Sequence, residues 1–172
     1  MDLPTRLRRS AMNLLARREH SRHELADKLR ARYRQSKLAV GDPVVDDGAV
    51  SGEVLDEMLD EMLAQVLDRL EADGLLSDAR FAEAYVRSRT QRGFGPLSIR
   101  YDLRQRGIAA ELIDEWVPDD NEFWLDHLDQ ILRRKYDEAV LTSAEPRMLQ
   151  KIQRFVVSRG FSSGHWSQWR RN

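Results

Sequence analysis

The 172-residue chain lacks cysteine and contains no long apolar run. Without cysteine, the chain cannot form a disulfide framework, a thiol nucleophile or a thiolate zinc site. No apolar run approaches the ~18–20 residues that a helix needs to span a bilayer. The first residues also lack the basic-then-apolar order of a secretory signal. These absences predict a cytoplasmic protein that does not associate with a membrane.

Lysine is also scarce, because only Lys28, Lys37, Lys135 and Lys151 accompany 24 arginines. Arginine presents a planar fork of donors that binds phosphates and carboxylates in a bidentate manner, whereas lysine is a point charge. A GC-rich genome would produce the same ratio, and composition alone does not choose between these explanations. It does not explain why the basic residues cluster.

The formal net charge of −1 hides a strong segregation of charge along the chain. Residues 1–34 carry a net charge of +6, residues 84–107 carry +5, and residues 147–172 carry +6 with no acidic residue. Residues 35–83 and 108–146 carry −10 and −8. Such alternation predicts a surface that meets a polyanion or an acidic partner in several places.

Apolar residues recur at spacings of three and four, and no segment shows convincing alternation with period two. The fold class is therefore predicted to be all-α, with about nine helices. Start and stop signals place these helices at Thr5–Arg18, Ser21–Tyr33, Glu53–Gly74, Ser77–Arg92, Pro96–Gly107 and Ala109–Val117, with three more opening near Asn121, at Pro146 and at Ser162 or Ser163. The long helix from Glu53 carries an apolar stripe from Leu55 and Met58 to Leu70.

Residues 34–52 contain Gly41, Pro43 and several aspartates without a sustained period, so they are predicted to form a mobile, exposed loop. We expect this acidic insertion to tolerate shortening.

Three columns of residues match when the second helix of each third of the chain is aligned. They are Leu25, Ile99 and Ile152; Leu29, Leu103 and Val156; and Arg32, Arg106 and Arg159. Tyr33, Gly107 and Gly160 follow, and removal of 34–52 leaves one period of about fifty residues. The period predicts three three-helix repeats, at 1–74, 75–118 and 119–172, in an elongated, curved monomer. Chance similarity between short amphipathic helices is the alternative.

The centre of the chain resembles the RecX family. The resemblance lies in Gly74–Arg89, GLLSDARFAEAYVRSR, and in Arg92–Ile108, RGFGPLSIRYDLRQRGI. Ala11–Ser21, with Leu25 and Leu29, resembles the N-terminal repeat of that family, and Lys151–Phe161 resembles its C-terminal repeat. The match covers nearly all of the chain except residues 34–52.

The resemblance implies a bacterial regulator of the RecA recombinase, built from tandem three-helix units. Such regulators bind the RecA–DNA filament along its groove and restrain filament growth, ATP hydrolysis, strand exchange and the co-protease activity that triggers the SOS response. Two departures concern the first repeat. Tyr33 and an acidic insertion replace the usual basic residue and glycine, and the third helix is long and acidic.

The residues do not predict an enzyme, a metal site or a cofactor. His20, His23 and Glu24 lie close together but lack the i, i+4 histidine spacing of a helical zinc pair. The glycines at 93 and 95 lack the Lys-Ser/Thr continuation of a phosphate loop and are typical of a turn. The carboxylates are plentiful, but they are predicted to lie on solvated helix faces.

The basic residues are the candidate contacts to RecA or to single- and double-stranded DNA. Arg100 and Arg104 form a column one helical turn apart, and Arg147, Lys151 and Arg154 form a similar column. The full predicted set is Arg32, Arg87, Arg92, Arg100, Arg104, Arg106, Arg147, Lys151, Arg154 and Arg159. A merely solvated helix face is the alternative for any one of them.

Four aromatic residues, Phe94, Tyr101, Trp166 and Trp169, are candidates for stacking on bases, although such residues are more often part of the core. A general helical nucleic-acid-binding module without a recombinase partner is the alternative function. Charge alone does not separate the two functions, because an acidic protein groove and a phosphate backbone attract the same arginines.

Overall fold

The structure, a computed structural model, describes residues 2–40, 52–142 and 145–171. This part of the chain is all-helical and contains no β-strand, so the predicted fold class is confirmed. Its ten helices are α1 Leu3–Leu15, α2 Arg22–Val40, α3 Gly52–Ala72, α4 Asp78–Gln91, α5 Pro96–Gln105, α6 Ala110–Trp116, α7 Asn121–Lys135, α8 Glu138–Leu141, α9 Pro146–Ser158 and α10 Ser163–Trp169. None of these helices is long and apolar enough to cross a membrane.

The first compact unit extends to Phe81. Helices α1, α2 and α3 pack against one another, and the core between them is almost purely aliphatic. Its buried members are Leu7, Ala11, Leu14, Leu25, Leu29, Leu59, Leu63, Val66, Leu67, Leu70 and Leu76. Each fully buried leucine contributes about 1.5–3 kcal/mol relative to an exposed one, so this core supplies the main stabilisation of the unit.

The second compact unit begins at Ala82, within α4. Helix α10 packs on α7 and α9, and α5 packs on α6. The core combines aliphatic and aromatic side chains, with Trp124 and Phe161 its largest fully buried members. The Trp124 indole N–H donates a 2.8 Å hydrogen bond to the Pro118 carbonyl oxygen, which satisfies its polar edge.

The residues aligned from the repeat occupy equivalent core positions. Leu25, Ile99 and Ile152 are completely buried, and so are Leu29, Leu103 and Val156. The helical register predicted for α2, α5 and α9 is therefore confirmed.

Glycine explains why two of these three helices end at the same position of the repeat. Gly107 and Gly160 have φ angles of +72° and +86°, which glycine adopts without steric cost. The residues that follow them, Ile108 and Phe161, are both buried. At the equivalent position α2 has Tyr33, which allows the helix to continue.

The prediction of a loop over 34–52 was therefore wrong at its start, because residues 34–40 belong to α2. The segment Arg-Gln-Ser-Lys-Leu-Ala-Val consists mostly of good helix formers and follows Tyr33 without a stop signal. Residues 41–51 lie outside the described part of the chain. The long helix starts at Gly52, one residue before the predicted Glu53.

The apolar stripe of α3 is buried only from Leu59 onward. Leu55 and Met58, predicted to face the core, are 45% and 47% exposed. Helix α3 has 21 residues and α1 has 13, so α1 falls short of α3 by about 12 Å of helix. The part of the apolar stripe that extends beyond α1 is therefore not covered by α1.

Two further findings concern the number of helices and their first residues. The short α8 was not predicted, and it raises the expected nine helices to ten in the described residues. The predicted cap at Ser21 is confirmed, and of the two candidates Ser162 and Ser163 the cap of α10 is Ser162. The hydroxyl oxygens of Ser21 and Ser162 accept 3.1 Å hydrogen bonds from the backbone N–H groups of Glu24 and His165.

Candidate functional site

The two arginines of the α5 column have different surroundings. Arg100 is only 18% exposed, and its guanidinium forms an ion pair with Asp114 of α6. It also donates a 3.1 Å hydrogen bond to the Val117 carbonyl oxygen. Arg104, one turn later, is exposed and pairs with no carboxylate in the described residues. Arg100 therefore fixes α6 to α5, while Arg104 is available to a partner.

The α9 column consists entirely of exposed cations. Arg147, Lys151 and Arg154 lie on the side of α9 away from the buried Ile152 and Val156. Arg154 donates a 3.3 Å hydrogen bond to the Gln150 carbonyl oxygen. None of the three forms an ion pair within the part of the chain that the structure describes, so their positive charges face solvent.

The arginines that follow α5 and α9 lie over aromatic rings. The Arg106 guanidinium lies 4.7 Å from the Tyr85 ring centroid and donates a 2.8 Å hydrogen bond to the Asp102 carbonyl oxygen. The Arg159 guanidinium lies 5.1 Å from the Phe94 ring centroid and 5.2 Å from that of Phe155. Such contacts orient a guanidinium while leaving its charge intact.

In the first unit the arginine equivalent to Arg106 and Arg159 is Arg32, and it and its neighbours on α2 contact other side chains of the unit. Arg32 is exposed but donates a 3.0 Å hydrogen bond to the Ser10 hydroxyl oxygen. Its neighbours on α2 bind the acidic face of α3. Arg30 pairs with Asp60 at 2.8 Å, Arg34 pairs with Asp56 at 3.0 Å, and Arg22 contacts both Asp68 and Glu71. Helix α3 thus neutralises much of the first basic block.

Two predicted cations belong to the end of α4 or the turn after it. Arg87 is exposed and lies 3.8 Å from Glu83, a weak i, i+4 pair. Arg92 is exposed, and its carbonyl oxygen accepts a long 3.5 Å hydrogen bond from Arg159. Arg92, Arg106 and Arg159 thus each follow the last residue of a helix, whereas Arg104, Arg147 and Lys151 lie within α5 and α9.

The last basic block keeps its charge. Its six cations are Arg147, Lys151, Arg154, Arg159, Arg170 and Arg171, and across the described residues none of them pairs with a carboxylate. In the first unit, by contrast, most α2 arginines contact α3 carboxylates. Unneutralised positive charge is therefore concentrated at the C-terminal block, which offers the strongest attraction for a polyanion.

The aromatic candidates divide between core and surface. Tyr101 is 60% exposed on α5, whereas Trp166 is buried. Trp169 stacks on Trp166 with ring centroids 5.6 Å apart, and its indole N–H donates a 3.0 Å hydrogen bond to Asp129. The two tryptophans therefore hold α10 to the rest of the unit, and Phe94 and Tyr101 remain the accessible aromatic candidates.

Within the described residues, the histidines do not join other His, Asp or Glu side chains in a group that could hold a metal ion. His20 is buried beside Glu24, with 3.1 Å between Nδ1 and Oε2. Burial lowers the pKa of His20, and the neighbouring Arg18 charge lowers it further. Burial also raises the pKa of Glu24, but the hydrogen bond and charge of Arg18 outweigh this effect and lower it overall. Glu24 is thus a charged partner in an ion pair with Arg18 at 2.6 Å.

Sequence reasoning missed two cations. Arg89 contacts the Tyr85 and Phe94 rings at 5.1 and 4.7 Å, and Lys135 contacts the Phe155 ring at 4.6 Å. Both residues belong to the last turn of a helix. Cations are favoured there because they complement the helix dipole, and this position is the signal that could have identified them.

Comparison with known proteins agrees with the fold. Residues 77–116 match the family model for the second three-helix domain of RecX. The crystal structure of RecX from Lactobacillus salivarius superposes with a TM-score of 0.66 at 18% identity, covering 96% of this chain and 93% of that one. A second crystal structure, of a regulatory protein RecX, gives a TM-score of 0.68 at 21% identity over 98% of this chain and 72% of that one.

The described residues thus define an all-helical repeat protein in which short amphipathic helices hold a common core register. Regulatory protein RecX of Ectopseudomonas mendocina is 39% identical over 94% of this chain and 91% of its own length. The RecX protein of Halorhodospira halophila is 37% identical over 91% of this chain and 81% of its own length. The chain belongs to the RecX family of regulatory proteins.

Proposed function

We propose that this protein binds the RecA–DNA filament and inhibits RecA activities, namely filament growth, ATP hydrolysis, strand exchange and SOS co-protease function. In this way it modulates recombinational DNA repair in the cytoplasm. It acts as a monomer, by binding rather than by catalysis, and needs no cofactor. The division into repeats at 1–74, 75–118 and 119–172 is part of the proposal, and the basic helices of the second and third repeats, α5 and α9, carry the effect on the filament.

The observation that supports the proposal most strongly is the excess of unpaired cations on equivalent helices. Arg104 of α5 and Arg147 and Lys151 of α9 are exposed, and they form no ion pair within the described residues. They project from helices whose opposite faces are anchored by fully buried residues. A rigid helix that presents free cations can meet phosphates or acidic side chains without first breaking internal ion pairs.

The test is a RecA ATPase assay on single-stranded DNA with this protein titrated in. Wild-type protein should slow ATP turnover at sub-stoichiometric to equimolar ratios. The triple variant Arg104→Glu, Arg147→Glu, Lys151→Glu should inhibit at least about tenfold less, because exposed charges contribute up to about 1 kcal/mol each and a tenfold change corresponds to about 1.4 kcal/mol. Rising salt should weaken inhibition by the wild type.

A matched control reverses three exposed cations of the first unit, Arg6→Glu, Arg9→Glu and Arg17→Glu, which changes the net charge by the same amount. Equal loss of inhibition in both triple variants would show that overall charge, and not the α5 and α9 faces, governs the effect. If wild-type protein binds bare DNA yet leaves RecA turnover unchanged, the general nucleic-acid-binding module is correct.

A further inference from the structure

Three cations and two aromatic rings of the second unit alternate in a continuous row. Arg89 and Arg159 both lie over the Phe94 ring, at 4.7 and 5.1 Å from its centroid. Arg159 and Lys135 both lie over the Phe155 ring, at 5.2 and 4.6 Å. We call this arrangement, Arg89–Phe94–Arg159–Phe155–Lys135, the cation–aromatic row. Its members come from positions that are up to 70 residues apart in the chain.

Three helix ends meet in the row. Arg89 lies in the last turn of α4, Lys135 ends α7, and Arg159 is the C-cap residue of α9. Each helix end carries a partial negative charge that favours a nearby cation, which explains how like charges can gather there. The contacts to aromatic faces hold the cations in defined positions.

The positive charge of the row exceeds the negative charge of the carboxylates that contact it. Arg89 lies 3.3 Å from the Asp102 carboxylate. Arg159 and Lys135 have no carboxylate partner within the described residues. Lys135 is exposed, and Arg89 and Arg159 are half-buried, so all three cations reach the surface. Because the row is net positive and faces solvent, it attracts several anionic groups along its length.

The alternation of rings and cations favours single-stranded nucleic acid over other polyanions. Phe94 and Phe155 are half-buried, so part of each residue is exposed to solvent. A single strand offers both phosphates for the cations and unstacked bases for contact with aromatic side chains. A duplex keeps its bases stacked inside, and an acidic peptide offers carboxylates without flat apolar groups.

We infer that the cation–aromatic row is a binding site for the sugar–phosphate backbone of single-stranded DNA. The inference rests on the proposed function, in which the protein meets DNA within a filament, and it assigns the DNA-facing role to this row. Arg159 and Lys135 bind successive phosphates, and the exposed edges of Phe94 and Phe155 lie against the sugars and bases between them.

The experiment measures binding of wild-type protein and variants to a fluorescently labelled oligothymidylate by anisotropy, without RecA, over a range of salt. The double variant Arg159→Gln, Lys135→Gln should weaken binding about tenfold. The slope of log affinity against log salt should become shallower by about 0.7 for each lost phosphate contact. Circular dichroism and thermal melting establish that the variants are folded.

The control variant Arg133→Gln, Arg134→Gln removes the same number of charges from exposed positions of α7 in the same unit. It should keep most of the affinity and the wild-type salt slope. If both double variants weaken binding equally, only net charge matters and the inference is overturned. Displacement of the oligonucleotide by polyglutamate at equal charge would also overturn it, because the row would then recognise carboxylates in general.

A ring variant keeps the inference testable even if the charge variant unfolds. Phe94→Leu preserves every cation and part of the packing, and it should weaken oligothymidylate binding several-fold while leaving the salt slope unchanged. Unaltered affinity in a folded Phe94→Leu protein would contradict the role of the ring.

The same proteins in the RecA ATPase assay separate this inference from the proposed function. Row variants that bind oligothymidylate normally overturn the inference, whatever their effect on RecA. Row-dependent binding of oligothymidylate by a wild-type protein that does not slow RecA supports the inference and contradicts the proposed function.

Discussion

The backbone N–H of Gly95 donates a 2.7 Å hydrogen bond to the carbonyl oxygen of Arg159, and the N–H of Leu97 donates one of 3.0 Å to the carbonyl oxygen of Gly160. The turn that precedes α5 thus lies backbone to backbone against the end of α9. A Cβ on Gly95 would lie 2.6 Å from the Gly160 carbonyl oxygen. Contact this close requires glycine on both sides.

Replacement of Gly160 by alanine should destabilise the protein by about 2–5 kcal/mol. The new Cβ would lie 2.3 Å from Ser98 Cβ and 2.5 Å from its backbone nitrogen, at a φ of +86° that alanine adopts only with strain. Urea denaturation monitored by circular dichroism measures the change. Gly74→Ala is the control, because Gly74 has a φ of +69° but open space around its Cβ. It should cost only about 1–2 kcal/mol, and equal losses would show that the close contact has no energetic effect.

Replacement of Arg100 by glutamine should cost about 1–3 kcal/mol, because it removes the ion pair with Asp114 and the hydrogen bond to the carbonyl oxygen of the buried Val117. Arg104→Gln, one turn away on the same helix, should change the free energy of unfolding by less than about 0.5 kcal/mol. Urea titration of both variants gives the comparison. A stable Arg100→Gln protein would mean that α6 does not need this link.

Truncation of Leu59 to alanine should destabilise the protein by about 2–5 kcal/mol, since this side chain is 3% exposed in the core of the first unit. Leu55→Ala, one turn earlier on α3, should cost less than about 1 kcal/mol because Leu55 is 45% exposed. Thermal denaturation of the two variants tests where burial of the α3 stripe begins. Similar losses at both positions would place Leu55 in a buried environment in solution.

Stability should fall as the pH is lowered from 7.5 to 5.5. Burial lowers the pKa of His127, and the Arg134 charge lowers it further, against an opposing hydrogen bond to the Thr90 backbone. Burial likewise lowers the pKa of His20. The unfolded chain therefore takes up protons first as the pH falls below about 6.5, which favours unfolding by at most about 1.4 kcal/mol per pH unit for each histidine.

Melting temperatures measured across this pH range test the expectation, and His127→Gln provides the comparison. The variant should show a shallower pH dependence than the wild type. An unchanged slope would show that His127 is not protonated on unfolding in this range.

The core of the repeats could be predicted because it depends on local periodicity. Leu25, Ile99 and Ile152 share a register that the 3.6-residue helical period imposes, and all three are buried. The extension of α2 was missed because Gly41 and Pro43 drew the predicted boundary back to residue 34. Glycine and proline end a helix only within a few residues of their own positions, so Gly41 and Pro43 do not stop α2 at residue 34. Tyr33 itself is not a helix-ending residue.

The division of the arginines into engaged and free side chains could not be predicted. Arg100 and Arg104 look equivalent in sequence, one turn apart on one helix. Only the packing of α6 brings Asp114 to Arg100, and only the meeting of three helix ends brings Arg89, Arg159 and Lys135 together. Such contacts depend on tertiary packing, which periodicity and motif spacing do not encode.

The neutralisation of the α2 arginines by the acidic α3 has a consequence for the kinetics of association. The first unit carries a net charge of −3 and the second carries +2. During diffusional approach a long polyanion is therefore repelled by the first unit and attracted by the second, which favours encounters with the second unit. Under the proposed function, the carboxylates of α3 thus act as an orienting element, because they raise the share of encounters in which the filament meets the second unit.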